Sequence, residues 1–422
     1  MRHALRTAAT ACAFLAVAAA PAHAKTPEQI AEAALRAAPV WDGHNDVPIQ
    51  LRARHGNVIA GFDFRDTTRT ADPAQGRVAM HTDLARLRRG RVGAQFWSVY
   101  VSAALSGPEA VRATLEQIDV TKRLVARYPG DLQFAVSAAD VERAMKAGKV
   151  ASLIGMEGGH SIGGSLGVLR QMHDLGVRYM TLTHSRSIAW ADSATDAPAH
   201  DGLTDFGRDV VREMQRIGML VDLSHVSEAT MMDALDVAKA PVMFSHSGAR
   251  AVTAHPRNVP DAVLDRLKAN GGIVMVVSLP SFVSEDVRGW SARRQGEKAR
   301  LGALNPGDPK AVNAALARWD AANPAPRSTL AQLADHVDHI VRRAGIDHVG
   351  IGADFDGMDT TTEGLDDVSG YPALFVELAR RGYAQADLEK IASRNMLRVL
   401  RAAEAYAAAR RADPPIETPV GS

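Results

Sequence analysis

The stretch GMLVDLSHVSEATMMDALDVAKAPVMFSH, residues 218–246, contains two short apolar runs that each stop at a histidine, His225 and His246. The runs 218–223 and 241–245 are rich in Val, Leu, Met and Phe and read as strands buried on both faces. Between them, 227–238 has a helical period, with Ser227 at the N-cap position and acids in the following turns. A strand, a covering helix and a second strand make a parallel pair, so both histidines leave the sheet at the same edge.

The same arrangement recurs outward in both directions. WDGHND (41–46) ends in His44 and Asp46, LIGMEGG (153–159) in Glu157, and VGIGADFDG (349–357) in Asp354 and Asp356. Eight strand-like runs are placed in all: 39–43, 92–100, 150–156, 178–183, 218–223, 241–245, 272–278 and 348–353. Segments with helical period separate most of them, for example 108–128 and 203–216. Continuous apolar strands alternating with amphipathic helices imply a parallel sheet covered on its outer face. Eight such units predict an α/β fold of the (β/α)8 TIM-barrel type, which brings every strand end to one mouth. An open dinucleotide-binding sheet is disfavoured. GGHSIGG (158–164) looks like a glycine loop, but no acid follows a second strand at the required distance.

The first 24 residues read as a cleavable signal peptide. Arg2 and Arg6 form a basic start, Ala8–Ala20 is uncharged and apolar, and Ala22-His23-Ala24 has the A-x-A pattern. No other stretch approaches the roughly 20 apolar residues of a membrane span. The expected product is exported to a periplasm or secreted. Removing residues 1–24 takes away two arginines and no acids, so the formal charge of +1 becomes −1. Such a balance gives no electrostatic case for a nucleic acid or anionic membrane partner. The sole cysteine, Cys12, lies in the leader, so any metal must be held by His, Asp or Glu. Residues 25–411 are expected to form one barrel domain, with an insertion at 279–328 after the seventh strand. A frayed tail is expected from Ala412, near Pro414, Pro415 and Pro419.

His44-Asn45-Asp46 is one of three His-x-Asp triplets, beside His81/Asp83 and His336/Asp338. Only the first stands at a strand end, where residues i and i+2 point the same way. Asp83 opens a helical run, and His336 and His339 lie on a helix of the outer ring. Singly, Glu157 could be a structural ion-pair partner and either His225 or His246 a core histidine. Together with His44 and Asp46 they give five ligands, more than one catalytic zinc requires. A two-metal site is the economical reading, with His44 and Asp46 on one ion, His225 and His246 on the other, and Glu157 bridging. Two ions about 3.5 Å apart can share a bridging hydroxide that is nucleophilic at neutral pH. Asp354 could accept its proton and pass it to a leaving amine, with Asp356 as the competitor for that role.

These residues resemble the membrane (renal) dipeptidase family, dinuclear zinc dipeptidases of the amidohydrolase superfamily. The resemblance spans nearly all of the expected mature chain, through DGHNDVP, GAQFWSVY, GMEGGHSIGGSLGVLRQMHDLGVRYMTLTH, DLSH, PVMFSHS, RNVPD, GADFDG and EGLDDVSGYPAL. It implies a TIM barrel, two zinc ions and hydrolysis of dipeptides, with metal roles on His44, Asp46, Glu157, His225 and His246. It adds His184 as the histidine that stabilises the oxyanion and Arg257 as the receiver of the substrate carboxylate. Asp354 matches the family's acid/base aspartate. Because Arg257 reads a carboxylate more than a side chain, D-residues at the second position should be tolerated. Homodimers are common in the family, so one is expected. The lipid anchor and cysteines of vertebrate members have no counterpart here, and 279–328 shows little match to them. The alternative function is a lactonase or other amidohydrolase on the same metal site, indifferent to Arg257→Ala. A binding protein that has lost catalysis is disfavoured because all five ligands and Asp354 are present.

Overall fold

The structure, a computed structural model, describes residues 25–418; the expected leader lies outside them. Eight strands form its centre: β1 Val40–Asn45, β2 Val92–Ser98, β3 Val150–Glu157, β4 Val177–Thr181, β5 Leu220–Asp222, β6 Met243–Ser247, β7 Ile273–Val276 and β8 Val349–Ile351. All neighbouring strands pair in parallel. Asp42 opposite Ile351 joins β1 to β8 and closes the ring. The expected TIM barrel is therefore the observed fold, and each expected strand is found within a few residues of its bounds. One strand was not expected. Leu132–Phe134 pairs with Val150–Ser152, below the part of the β3 edge that β4 occupies.

Alternation sorts the strand residues into two apolar layers. Trp41, Phe96, Leu153, Tyr179, Leu220, Met243, Ile273 and Met275 form the barrel interior. Their neighbours Val40, Trp97, Ile154, Met180, Val221, Phe244, Val274 and Ile351 face the helices. The interior is closed from below by Met396, Val399, Leu400 and Ala403 of the helix Asn395–Ala408. Asn395 fixes that helix by donating to the carbonyls of Ile346 and Val349, at 2.7 and 2.9 Å.

The helix between β5 and β6 spans Glu228–Val237, and the Ser227 side chain accepts from the Thr230 amide as its N-cap. Residues 285–322 form a hairpin of two helices, Glu285–Leu304 and Pro309–Ala322. Trp290 against Trp319 and the bidentate Arg294–Asp320 pair hold the two together. Within the segment expected to fray, Ile416 is tied to the helix Asp205–Ile217 by its amide on Glu213, and its carbonyl accepts from Arg170.

Candidate metal centre and active site

The strand ends deliver their polar residues through two buried carboxylates that bind backbone amides. Asp42 accepts from the amides of His44 and Ala353 and from the Tyr371 hydroxyl, which ties the end of β1 to the segment after β8. Asp222 accepts from the amides of Ser224 and Ser245 and from the hydroxyls of Thr181 and Ser245, joining β4, β5 and β6. Beyond these clamps the chain bends sharply. His225, Asp354 and Asp356 all have φ near +70° (71°, 71° and 67°). That conformation is costly for residues with a side chain and is concentrated at functional sites.

Glu157, the last residue of β3 and only 3 % exposed, lies at the centre. Its Oε2 is 3.5 Å from His44 Nε2, which in turn is 3.3 Å from Asp46 Oδ2. Its Oε1 is 2.9 Å from His225 Nε2 and 3.6 Å from His246 Nε2. Each carboxylate oxygen thus faces a different set of ligand-type groups. The Ser98 hydroxyl donates to Oε2 at 3.1 Å and fixes the rotation.

These residues suit metal ions and are poorly satisfied by one another. His44 Nε2 is buried with no hydrogen-bond partner. The Nε2 atoms of His225 and His246 face each other at 2.9 Å. Burial holds both imidazoles well below the usual histidine range, so they are neutral and offer lone pairs. Burial also opposes charge on His44, but Tyr179, Glu157 and Asp46 outweigh it and push His44 above its ordinary value. Burial likewise opposes charge on Glu157, and His44 and His184 overcome it, keeping Glu157 ionised. A cation at this point satisfies the same acids that here favour a proton on His44. The ligand atoms of His44, Glu157 and His246, of Glu157, His184 and His225, and of His44, Asp46 and Asp354 form three groups, each within 4.8 Å.

The remaining expected residues surround this cluster in a cavity of about 340 Å³. Asp354 Oδ1 is 3.9 Å from His44 Nε2, and burial raises its pKa well above the ordinary carboxyl value. The rival Asp356 lines the same cavity; its Oδ1 accepts from the His81 amide at 2.8 Å, and its Oδ2 has no partner. His184 Nε2 is 3.8 Å from Glu157 Oε1, and its ring packs between those of Tyr100 and His225. Arg257 is 2 % exposed, yet its guanidinium makes only long contacts, 3.5 Å to Ser247 Oγ and 3.4 Å to the His246 carbonyl. Its Nε has no partner. Burial lowers its pKa to about 10, which leaves it charged at neutral pH. It stacks over Phe282, 5.4 Å from the ring centre. Such an arginine has donors free for an incoming anion.

The triplets set aside in the sequence have structural roles. Asp83 caps the helix Leu84–Arg89 and pairs with Arg86. His336 accepts from the Ala249 amide, and its other nitrogen reaches the Val283 carbonyl. Sequence reasoning missed Tyr100, Ile49, Gln50, Leu279 and Phe282, all of which line the cavity. Only their places just past strand ends could have marked them.

A parallel barrel whose mouth gathers histidines and carboxylates beside a buried, under-paired arginine suits a metal-dependent hydrolase. Comparison with known proteins sharpens the class. The sequence profile described as membrane dipeptidase (peptidase family M19) matches residues 28–414, and the chain belongs to that family. It is 43% identical over 379 residues to the dipeptidase tcpJ of Claviceps purpurea (strain 20.1), covering 88% of this chain and 78% of that protein. The dipeptidase verJ of Clonostachys rogersoniana is 41% identical over 377 residues, covering 87% and 84%. Among solved structures, the probable dipeptidase PvdM from Pseudomonas aeruginosa superposes with a TM-score of 0.75 at 25% identity, covering 90% of this chain and 99% of that one. A metallopeptidase from Rhodobacter sphaeroides, liganded with a phosphinate mimic of the dipeptide L-Ala-D-Ala, gives 0.69 at 25% identity, covering 87% and 99%. The chain is a metallo-dipeptidase.

Proposed function

We propose that the protein is an exported dinuclear zinc dipeptidase that accepts D-residues at the second position of its substrate. One observation carries the dinuclear part: the two oxygens of Glu157 face separate ligand sets. His44 and Asp46 would hold one ion, His225 and His246 the other, with Glu157 shared. Bound there, the metal pair supplies Lewis acidity and a water acidic enough to attack at neutral pH. Asp354 Oδ1 takes the proton of the attacking water and returns it to the departing amine, a role that suits a carboxyl raised by burial. His184 Nε2 donates to the carbonyl oxygen as negative charge builds on it. Arg257 receives the terminal carboxylate, which confines substrates to dipeptides and close analogues.

D-residue tolerance follows from recognition at a carboxylate, and the dipeptide mimicked by the ligand of the Rhodobacter relative is L-Ala-D-Ala. Export rests on the leader-like residues 1–24. Among the described residues no helix is long and apolar enough to cross a membrane. A homodimer is the proposed assembly, to be read by light scattering.

The test combines metal analysis with a substrate set. Purified protein should contain close to two zinc ions per chain, and a value near zero after gentle purification would sink the site. Cleavage of L,L- and L,D-dipeptides should disappear when the C-terminus is blocked as an amide; undiminished turnover of the amide removes Arg257 from its role. Asp354→Asn should retain metal and lose about 10²- to 10⁴-fold in kcat.

A further inference from the structure

A histidine binds metal through a bare ring nitrogen, so its other nitrogen must carry the proton. What decides this differs among the three histidines proposed as ligands. His225 Nδ1 is buried without a partner. His44 Nδ1 lies 2.8 Å from the Tyr179 hydroxyl, and a lone phenol can either donate or accept there. His246 is different. Its Nδ1 lies 2.8 Å from Ser245 Oγ, which itself donates to Asp222 Oδ2 at 2.6 Å. Asp222 is enclosed by donors: the amides of Ser224 and Ser245 on Oδ1, the hydroxyls of Thr181 and Ser245 on Oδ2. A serine hydroxyl has one proton. With that proton committed to the carboxylate, Ser245 can only accept from His246.

We infer that Ser245, oriented by Asp222, is a positioning residue that fixes His246 as the Nδ1–H tautomer and keeps its Nε2 open for metal. The inference rests on the two-metal reading above. The backbone supports it locally. Side chains at Gly43 or Gly352 would meet the Ser245 carbonyl at 2.5 and 1.9 Å, so β1 and the residue after β8 approach the Ser245 backbone closely. The relay acts on one ligand of one ion. Partners of this kind on ligating histidines are worth about 10- to 100-fold in metal affinity.

The test is a Zn²⁺ titration of the metal-free full chain against a chromophoric chelator, comparing wild type, Ser245→Ala and Thr181→Val. Thr181→Val removes the other hydroxyl on Asp222 Oδ2, at 2.5 Å, without touching His246. It therefore reproduces the structural loss but not the break in the relay. Ser245→Ala should weaken one of two ions by about 10- to 100-fold and leave the other near its wild-type value. Thr181→Val should bind both ions within about threefold of wild type, although urea unfolding shows both variants destabilised. Wild-type affinity in Ser245→Ala overturns the relay, and so does equal weakening in Thr181→Val, which would reduce Ser245 to a structural role. A wild-type curve with fewer than two ions overturns the two-metal reading itself, and the relay with it.

Discussion

Gly155 lies inside β3 because the ring of Tyr179 occupies the space its side chain would need. A Cβ there would meet Tyr179 Cζ at 2.0 Å. That ring carries the hydroxyl on His44 Nδ1, so a missing side chain on one strand positions a candidate ligand on another. Gly155→Ala should cost about 1–3 kcal/mol, as overpacking of a rigid core does, read from the urea midpoint. Adding Tyr179→Ala, which empties the space, should recover part of the Gly155→Ala loss if the clash is its cause. Asp42 makes a pH-dependent contribution at the same scale. Burial pushes its carboxyl up to about 6 against the donors around it. The folded state therefore holds a proton that the unfolded chain releases near 3.8, so stability falls as pH rises between these values. Urea unfolding of metal-free protein should show the advantage of wild type over Asp42→Asn shrinking from about pH 4 to 6. A constant difference across that range would remove Asp42 from the pH dependence.

Among the elements, those that pack against the barrel were readable and those that do not were obscure. Runs such as PVMFSH and VGIGADFDG announce strands because both faces are buried and no polar residue interrupts until the end. Leu132–Phe134 is too short for a period, and its last two residues are only partly buried. The hairpin 285–322 gave no helical signal because few of its residues turn inward, with Val287, Leu301 and Leu316 its only buried ones. This has a consequence for deletion. Replacing 291–322 by a short Gly/Ser turn spares Leu279 and Phe282 in the cavity wall and removes little core. The shortened protein should keep its Zn²⁺ content and stay within about 1 kcal/mol of wild type in urea; collapse of the barrel would show that the hairpin carries stability. The candidate metal ligands were legible for the same reason as the strands, since each closes an apolar run. Arg257 was not, because a loop arginine has no periodic context, and His184, although it follows an apolar run as His246 does, gained a role only through the resemblance. Tyr179 and Ser245 were invisible as supports, since their contacts cross between strands and depend on the closed ring.

Taken whole, the molecule draws its candidate ligands from four strand ends spread between His44 and His246, with Asp354 completing the cluster. Ions held there bind the folded chain and not the unfolded one, so apparent stability should depend on metal concentration. Stripping with a chelator should lower Tm, and Zn²⁺ at about 100 times its Kd should restore about 2.7 kcal/mol. A Tm indifferent to both treatments would mean the site does not load. The ring itself is sealed between its first and last strands, at Asp42 and Ile351, and its floor is filled by the helix Asn395–Ala408. A chain emerging from the ribosome therefore presents β1 long before β8, the second of its two partners, exists. Until Val349 and the terminal helix have been made, β1 and β7 each keep an open edge and the interior has no base. Closure is thus late relative to the first strand: His44 meets Asp354 only once β8 has joined β1.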